Sequence, residues 1–375
     1  MSQYLFPNRL ARRDFIKMGA LAAGSLAAPG ARAETKSESK TPVRIGSGRW
    51  TYTLDDGWGK LPAGMKYGFG CGIVVDSKDR VYVTSRSTSP CVAVFDRHGK
   101  LLETWSSDFA GRVGYTLDQV KDTAHCVYWS KEGRNEFLYF TENASTNKEG
   151  PKLGQRVYKT DLHGKILYTI GNVEKEDSTS QKFEWTNPTD VAIAPNGDIY
   201  VVDGYGSQIV SRFDKNFKHL KTIGGRSPKP GKDANHGTFN TCHGIWVNTL
   251  KKGNPEIYIA DRHNDRLEVF DLELNYKRTL ANDVRNPCCF YQHQGYLYIP
   301  DLAARVTILG ADDQLVAHLG DGKEADGKKD KPDNKTNPAL FATPHAMCVD
   351  SRGDFDVLEW VDFGRPRKFK HTPMA

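Results

Sequence analysis

Three features predict an all-β fold, a six-bladed β-propeller with one four-stranded sheet per copy. Six copies of one short-strand unit recur at intervals of roughly 45 to 65 residues. Helical 3.6-residue periodicity is almost absent. An Asn-Gly pair, Asn196-Gly197, sits between two alternating runs and marks a tight hairpin. The bulk composition agrees. With 375 residues, 38% hydrophobic and 11% aromatic, the chain is far too apolar to be disordered, and no run of about 18 apolar residues suggests a spanning helix.

Residues 1–33 read as a cleavable signal segment ahead of a single domain, 34–375. Arg12-Arg13-Asp14-Phe15-Ile16-Lys17 leads into a short apolar stretch that ends at Ala31-Arg32-Ala33, a small-x-small cleavage pattern. The paired arginines resemble the twin-arginine type of export signal, so the expected location is periplasmic or otherwise exported. This segment carries +4 of the net +6, which leaves the mature chain at +2. A nucleic-acid role thereby loses its support, and no membrane contact is expected once the signal is removed.

The first copies begin near Cys71 and His125, and the clearest one runs from Asn187 to Phe213-Asp214. Three more begin near His243, Cys288 and His345. Their second strands are Val81-Tyr82-Val83, Phe137 to Phe140, Ile199 to Val202, Ile257-Tyr258-Ile259, Tyr296 to Ile299, and Phe355 to Leu358. The last copy stops early at Lys368-Phe369, and a spare strand near Arg49 to Thr53 is expected to complete it and close the ring. Between copies the chain reads as loops, the longest being Arg226 to Gly237 and the charge-dense Asp321 to Pro338. Seven cysteines, Cys71, Cys91, Cys126, Cys242, Cys288, Cys289 and Cys348, are expected to be mostly small buried residues with at most one or two disulfides.

At the start of each first strand the six copies place Cys71, His125, Thr189, His243, Cys288 and His345. Histidine holds copies two, four and six. In a closed ring of six, alternate copies aim three imidazoles, about 120° apart, at one axial point. Three neutral imidazoles with an open fourth position suit zinc or another divalent metal that accepts nitrogen ligands. The second strands end at Arg86, Glu142, Asp203-Gly204-Tyr205, Asp261-Arg262, Asp301 and Glu359, near the same channel mouth. Most of these acids read as structural, bonded to backbone amides or to partners such as Arg266. Arg86, Tyr205 and Arg262 instead offer a proton acceptor and two anion binders.

On these residues the repeats resemble NHL repeats, and the mature chain is similar to the catalytic domain of peptidyl-α-hydroxyglycine α-amidating lyase. The matching pieces are Pro188-Thr189-Asp190-Val191-Ala192 with Val202-Asp203-Gly204-Tyr205, His243-Gly244 with Ala260-Asp261-Arg262, and Pro344-His345. The resemblance implies a zinc ion on His125, His243 and His345, Tyr205 as the base, and Arg86 and Arg262 holding substrate groups. It also implies cleavage of a C–N bond that releases an amide and glyoxylate. Some positions depart from the family. Ala346 replaces an acid associated with a structural calcium, which argues against that ion. Thr343 replaces a methionine, and Gly206 replaces a cysteine, removing its disulfide.

The expected function is therefore an exported zinc-dependent lyase, a monomer acting on a small-molecule or peptide substrate. The alternative is a non-catalytic propeller that binds a protein, peptide or glycan partner, its metal either absent or structural, closed by a fourth ligand such as Cys71 or Cys288. A calcium-dependent lactonase would want carboxylate and amide ligands, against which the three histidines argue.

Overall fold

The computed structural model describes residues 41–143, 153–251, 253–321, 337–362 and 365–374. The expected signal segment 1–33 lies outside them, as does most of the loop 321–338. The rest forms six antiparallel sheets, one per copy. Their first strands are Gly70–Val75, Ala124–Glu132, Asp190–Ile193, Cys242–Asn248, Tyr291–His293 and Pro344–Val349, and they open blades 1 to 6 in that order. Each blade contains the second strand expected for it.

Burial follows from the stacking. First and second strands are pressed between neighbouring blades on both faces, so Gly70–Val75, Val81–Ser85 and Glu256–Asp261 are buried throughout. Fourth strands lie at the rim, and His219–Gly224 is half to fully exposed. In the Asn196-Gly197 hairpin the Gly197 amide donates to the Ala194 carbonyl at 2.8 Å. Gly197 adopts φ 91°, a conformation a side chain would resist.

The ring closes as expected, a few residues later in the chain. Tyr52–Asp55 pairs antiparallel with Arg367–His371, so the sixth sheet joins both ends of the domain. Arg44–Ile45 adds a fifth strand outside it. Residues 48–50 form a 3-10 turn ahead of the closing strand. Blade 2 also gains a parallel fifth strand, Ser180–Lys182.

One connection differs from the loop reading. Between blades 1 and 2 lie two short helices, α1 (Ser107–Val113) and α2 (Leu117–Thr123). α1 buries Phe109, Ala110 and Val113 against Trp105, Phe140 and Tyr158, filling the wedge between the two blades. Gly114 in the left-handed conformation ends it, and a Thr116–Gln119 capping box starts α2. No helix among the described residues is long and apolar enough to cross a membrane.

A candidate metal centre at one mouth of the channel

The three histidines occupy backbone irregularities. In blades 2, 4 and 6 the ladder between first and second strands slips at the histidine, between Ala124 and Val127, Cys242 and Gly244, and Pro344 and Ala346. Such bulges re-aim a side chain out of the pleat, here toward the channel axis. The imidazole centroids stand 5.0, 5.2 and 4.9 Å apart, and candidate ligand atoms of all three residues lie within 4.8 Å of one another. All three side chains are buried.

Each ring is held by the following blade. Nδ1 of His125 meets the Thr189 carbonyl at 2.6 Å, Nδ1 of His243 the Cys288 carbonyl at 2.8 Å, and Nδ1 of His345 the Cys71 carbonyl at 2.6 Å. A carbonyl can only accept, so Nδ1 carries the proton and Nε2 presents a lone pair. Nε2 of His125 and of His345 are buried without a hydrogen-bond partner. Such orphans ordinarily cost about 1–3 kcal/mol each, which a bound cation would relieve. Burial holds the His125 imidazole well below its ordinary pKa, reinforced by the neighbouring His345 ring and the Arg86 charge. Burial and Arg262 do the same for His243. Neutral imidazoles are the form that ligates. The donor set thus fits a borderline divalent ion such as zinc.

The other expected residues gather at the same mouth. The Tyr205 ring lies edge-on to His125 and His243, at 5.4 and 5.3 Å. Its hydroxyl accepts from Arg262 Nη1 at 3.1 Å, while its outer edge leaves the residue 40% exposed. Burial raises the Tyr205 pKa above the usual phenol value, and the Arg262 charge pulls against that rise. Arg262 is buried with its Nε unpartnered. Arg86 donates to Asn143 Oδ1 at 2.6 Å and to the Ala124 carbonyl, and its guanidinium lies 5.1 Å from the Trp360 ring. Trp360 in turn lies 5.3 Å from the His345 ring and 5.1 Å from Phe69.

Pairing register refines the placement of Arg86. The residue before each channel position pairs with Ser85, Glu142, Asp261, Asp301 and Glu359 in blades 1, 2, 4, 5 and 6. Ser85 is thus the counterpart of the acids. Arg86 belongs to the next position, which reads Arg86, Asn143, Gly204, Arg262, Leu302 and Trp360. That series supplies much of the rim, and it adds Asn143 and Trp360, which sequence reasoning missed.

The acids themselves are structural, as expected. Asp203 accepts from the Thr186 and Asn187 amides, Asp261 from the Asn240 amide and Arg266 Nε, and Glu142 from Arg156. Asp301 holds Arg305 and Thr307, and Glu359 holds the Thr343 amide and Arg367. Gly206 is forced by this scheme, because a Cβ there would lie 2.3 Å from the Asp203 carboxylate.

All seven cysteines are free and buried. Cys71 Sγ is turned to the Phe69 and Ala124 carbonyls. Cys288 Sγ is 3.3 Å from His243 Nδ1 and 4.0 Å from Nε2. Of the two thiols it is Cys288 that lies within reach of the imidazoles, in one candidate ligand group with His243 and Cys289.

No family profile matches the chain. It is 26% identical over 223 residues to NHL repeat-containing protein 3 of Homo sapiens, covering 59% of this chain and 56% of that protein. It is 28% identical over 131 residues to a probable peptidyl-α-hydroxyglycine α-amidating lyase of Caenorhabditis elegans, covering 34% and 35%. The chain thus matches little more than half the length of the first relative and about a third of the second. Among solved structures, a streptogramin B lyase superposes with a TM-score of 0.53 at 12% identity, over 88% of this chain and 98% of that one. A gluconolactonase from Xanthomonas campestris does so at 0.53 and 10%, over 89% and 96%. At such identity these two share the fold alone. Repeat pattern, relatives and sheet topology together make this chain an NHL-type six-bladed β-propeller.

Proposed function

We propose that the mature chain is an exported, zinc-dependent lyase that breaks a carbon–nitrogen bond in a small hydroxylated substrate. One observation carries this reading. Three buried imidazoles with Nδ1 tied down and Nε2 facing the axis stand directly beneath Tyr205 and Arg262. The similarity to the probable amidating lyase of Caenorhabditis elegans supports it. The twin-arginine-like segment 1–33, the domain 34–375, a periplasmic location, a monomeric state and a small-molecule or peptide substrate belong to the same proposal.

A divalent ion on the three Nε2 atoms would polarise a substrate hydroxyl and lower its pKa. With the charge of a bound ion and of Arg262 opposing the rise that burial imposes, Tyr205 would act as phenolate and take the hydroxyl proton. The O–H electron pair would then form the aldehyde C=O, the C–N pair would leave on nitrogen, and that nitrogen would take the proton from the Tyr205 hydroxyl to complete the amide. Arg262 stabilises the phenolate by its hydrogen bond and charge. Arg86 has no acidic partner among the described residues, so it can hold a substrate carboxylate in bidentate fashion. Trp360 and Phe69 shield that contact from water.

The test is metal content together with glyoxylate release from α-hydroxyhippurate. Wild type should bind one zinc and release glyoxylate, and His125→Ala, His243→Ala and His345→Ala should lose both. Full zinc in all three variants would remove the site. Full zinc with no activity in wild type would leave a partner-binding propeller, a reading favoured by the longer match to NHL repeat-containing protein 3.

A further inference from the structure

The strands that present the three histidines also present the residue one place further along. That position reads Gly72, Cys126, Asp190, Gly244, Cys289 and Ala346. Its two thiols belong to blades 2 and 5, which face each other across a ring of six. Their sulfurs stand 3.8 Å apart, and both side chains are buried. With a ring nitrogen of His345 they form a group whose ligand atoms all lie within 4.8 Å of one another.

A cavity of about 690 Å³ is lined in part by both cysteines. It is lined by the turns at Gly133 and Gly197, which join first to second strands, so it opens at the opposite end of the channel from Tyr205 and Arg262. An ion could therefore enter without passing the imidazole mouth. The spacing also suits a metal. Two sulfurs each about 2.3 Å from one ion, at a tetrahedral angle, stand about 3.8 Å apart. Two thiolates and an imidazole select soft ions over the harder ones that suit nitrogen and oxygen.

We propose that Cys126, Cys289 and His345 Nε2 form a second metal position, for a thiophilic ion, that competes with the three-imidazole centre for His345. His345 Nδ1 is already bonded to the Cys71 carbonyl, so its single Nε2 lone pair serves one ion at a time. Binding converts two thiols to metal thiolates and releases two protons through the cavity, with no change in oxidation state. Soft ions thereby dismantle the nitrogen centre from below. That consequence rests on the three-imidazole reading, whereas the thiol position stands without it.

The probe is cadmium(II) alone, titrated into metal-free, reduced protein, with thiolate-to-cadmium charge-transfer absorption as the signal. Wild type should show the band saturating at one equivalent. The band should vanish in Cys126→Ser and Cys289→Ser, and persist in the double variant His125→Ala/His243→Ala, which lacks the nitrogen centre. His345→Ala should weaken cadmium binding about tenfold or more. Absence of the band in wild type, or its survival in both serine variants, overturns the position. A second measurement needs no substitution: wild type preloaded with one zinc should lose it as the cadmium band grows. Retention of one zinc beside one cadmium with the full band would overturn the sharing of His345.

Discussion

The two imidazoles that burial holds neutral should leave a signature in stability against pH. His125 and His243 both have folded pKa values well below the ordinary histidine value near 6.5. Lowering the pH through 6.5 therefore protonates the unfolded chain and not the folded one, so stability falls as pH falls. At pH 5 each group that stays neutral costs RT ln(1 + 10^1.5), about 2 kcal/mol, against about 0.2 kcal/mol at pH 7. The pair should remove up to about 4 kcal/mol between pH 7 and pH 5, the limit reached when both rings stay neutral, or up to about 8 °C in melting temperature at about 2 °C per kcal/mol. The assay is thermal unfolding of chelator-treated protein at pH 7, 6 and 5, beside the double variant His125→Asn/His243→Asn. Asparagine can still donate to the Thr189 and Cys288 carbonyls but cannot titrate. Wild type should lose more than the variant over that range, by up to about 4 kcal/mol. Parallel curves would mean that water reaches and protonates these rings in the folded protein, and the argument for preformed neutral ligands would fail.

Three other expectations are open to direct measurement. Tyr205→Phe should keep its zinc and lower glyoxylate release about 10²- to 10⁴-fold, the span of a lost general base; equal rates would dismiss the phenol. Lys368, buried between Asp350 at 2.9 Å and Asp356 at 3.0 Å, should cost about 3–5 kcal/mol when changed to Met, because two carboxylates are left without their cation. Urea unfolding checks this, and a loss below 1 kcal/mol would contradict it. Tyr52→Ala removes a buried ring packed 4.7 Å from Phe355 on the closing strand, and should cost about 3–5 kcal/mol. Since that strand seals the blade bearing His345, zinc retention in dialysis should fall with it; unchanged retention would separate closure from the site.

The blades were readable because each hairpin carries its own local signature. Short Tyr- and Val-rich runs between turn residues specify strands without reference to distant parts of the chain, as at Ile199 to Val202. The two helices escaped because seven-residue helices show barely two turns of periodicity, although Thr116 and Gln119 carried a legible capping box. The imidazole set was legible as a pattern across copies, since His125, His243 and His345 fall at one repeat position. What the pattern could not contain was the bulge that turns each ring to the axis, because a bulge is a property of pairing between strands. The one-residue offset between Ser85 and Arg86 has the same origin. Without the register, Arg86 stood among the acids, and its true companions Asn143 and Trp360 went unnoticed. Cys126 and Cys289 are 163 positions apart and meet only because blades 2 and 5 are diametrically opposed.

The pairing of Tyr52–Asp55 with Arg367–His371 also sets a timetable. Contacts such as Tyr52 with His371 span 319 positions, so the ring cannot be sealed until nearly the whole domain has been synthesised. The third imidazole arrives on that same final blade. A ribosome-bound chain can hold His125 and His243 in nearly finished blades and still lack a centre able to retain metal. If the three imidazoles hold an ion as proposed, its capture would be a late event, coupled to completion of the polypeptide, and a release-arrested or C-terminally clipped chain should be recognisable by its lack of metal.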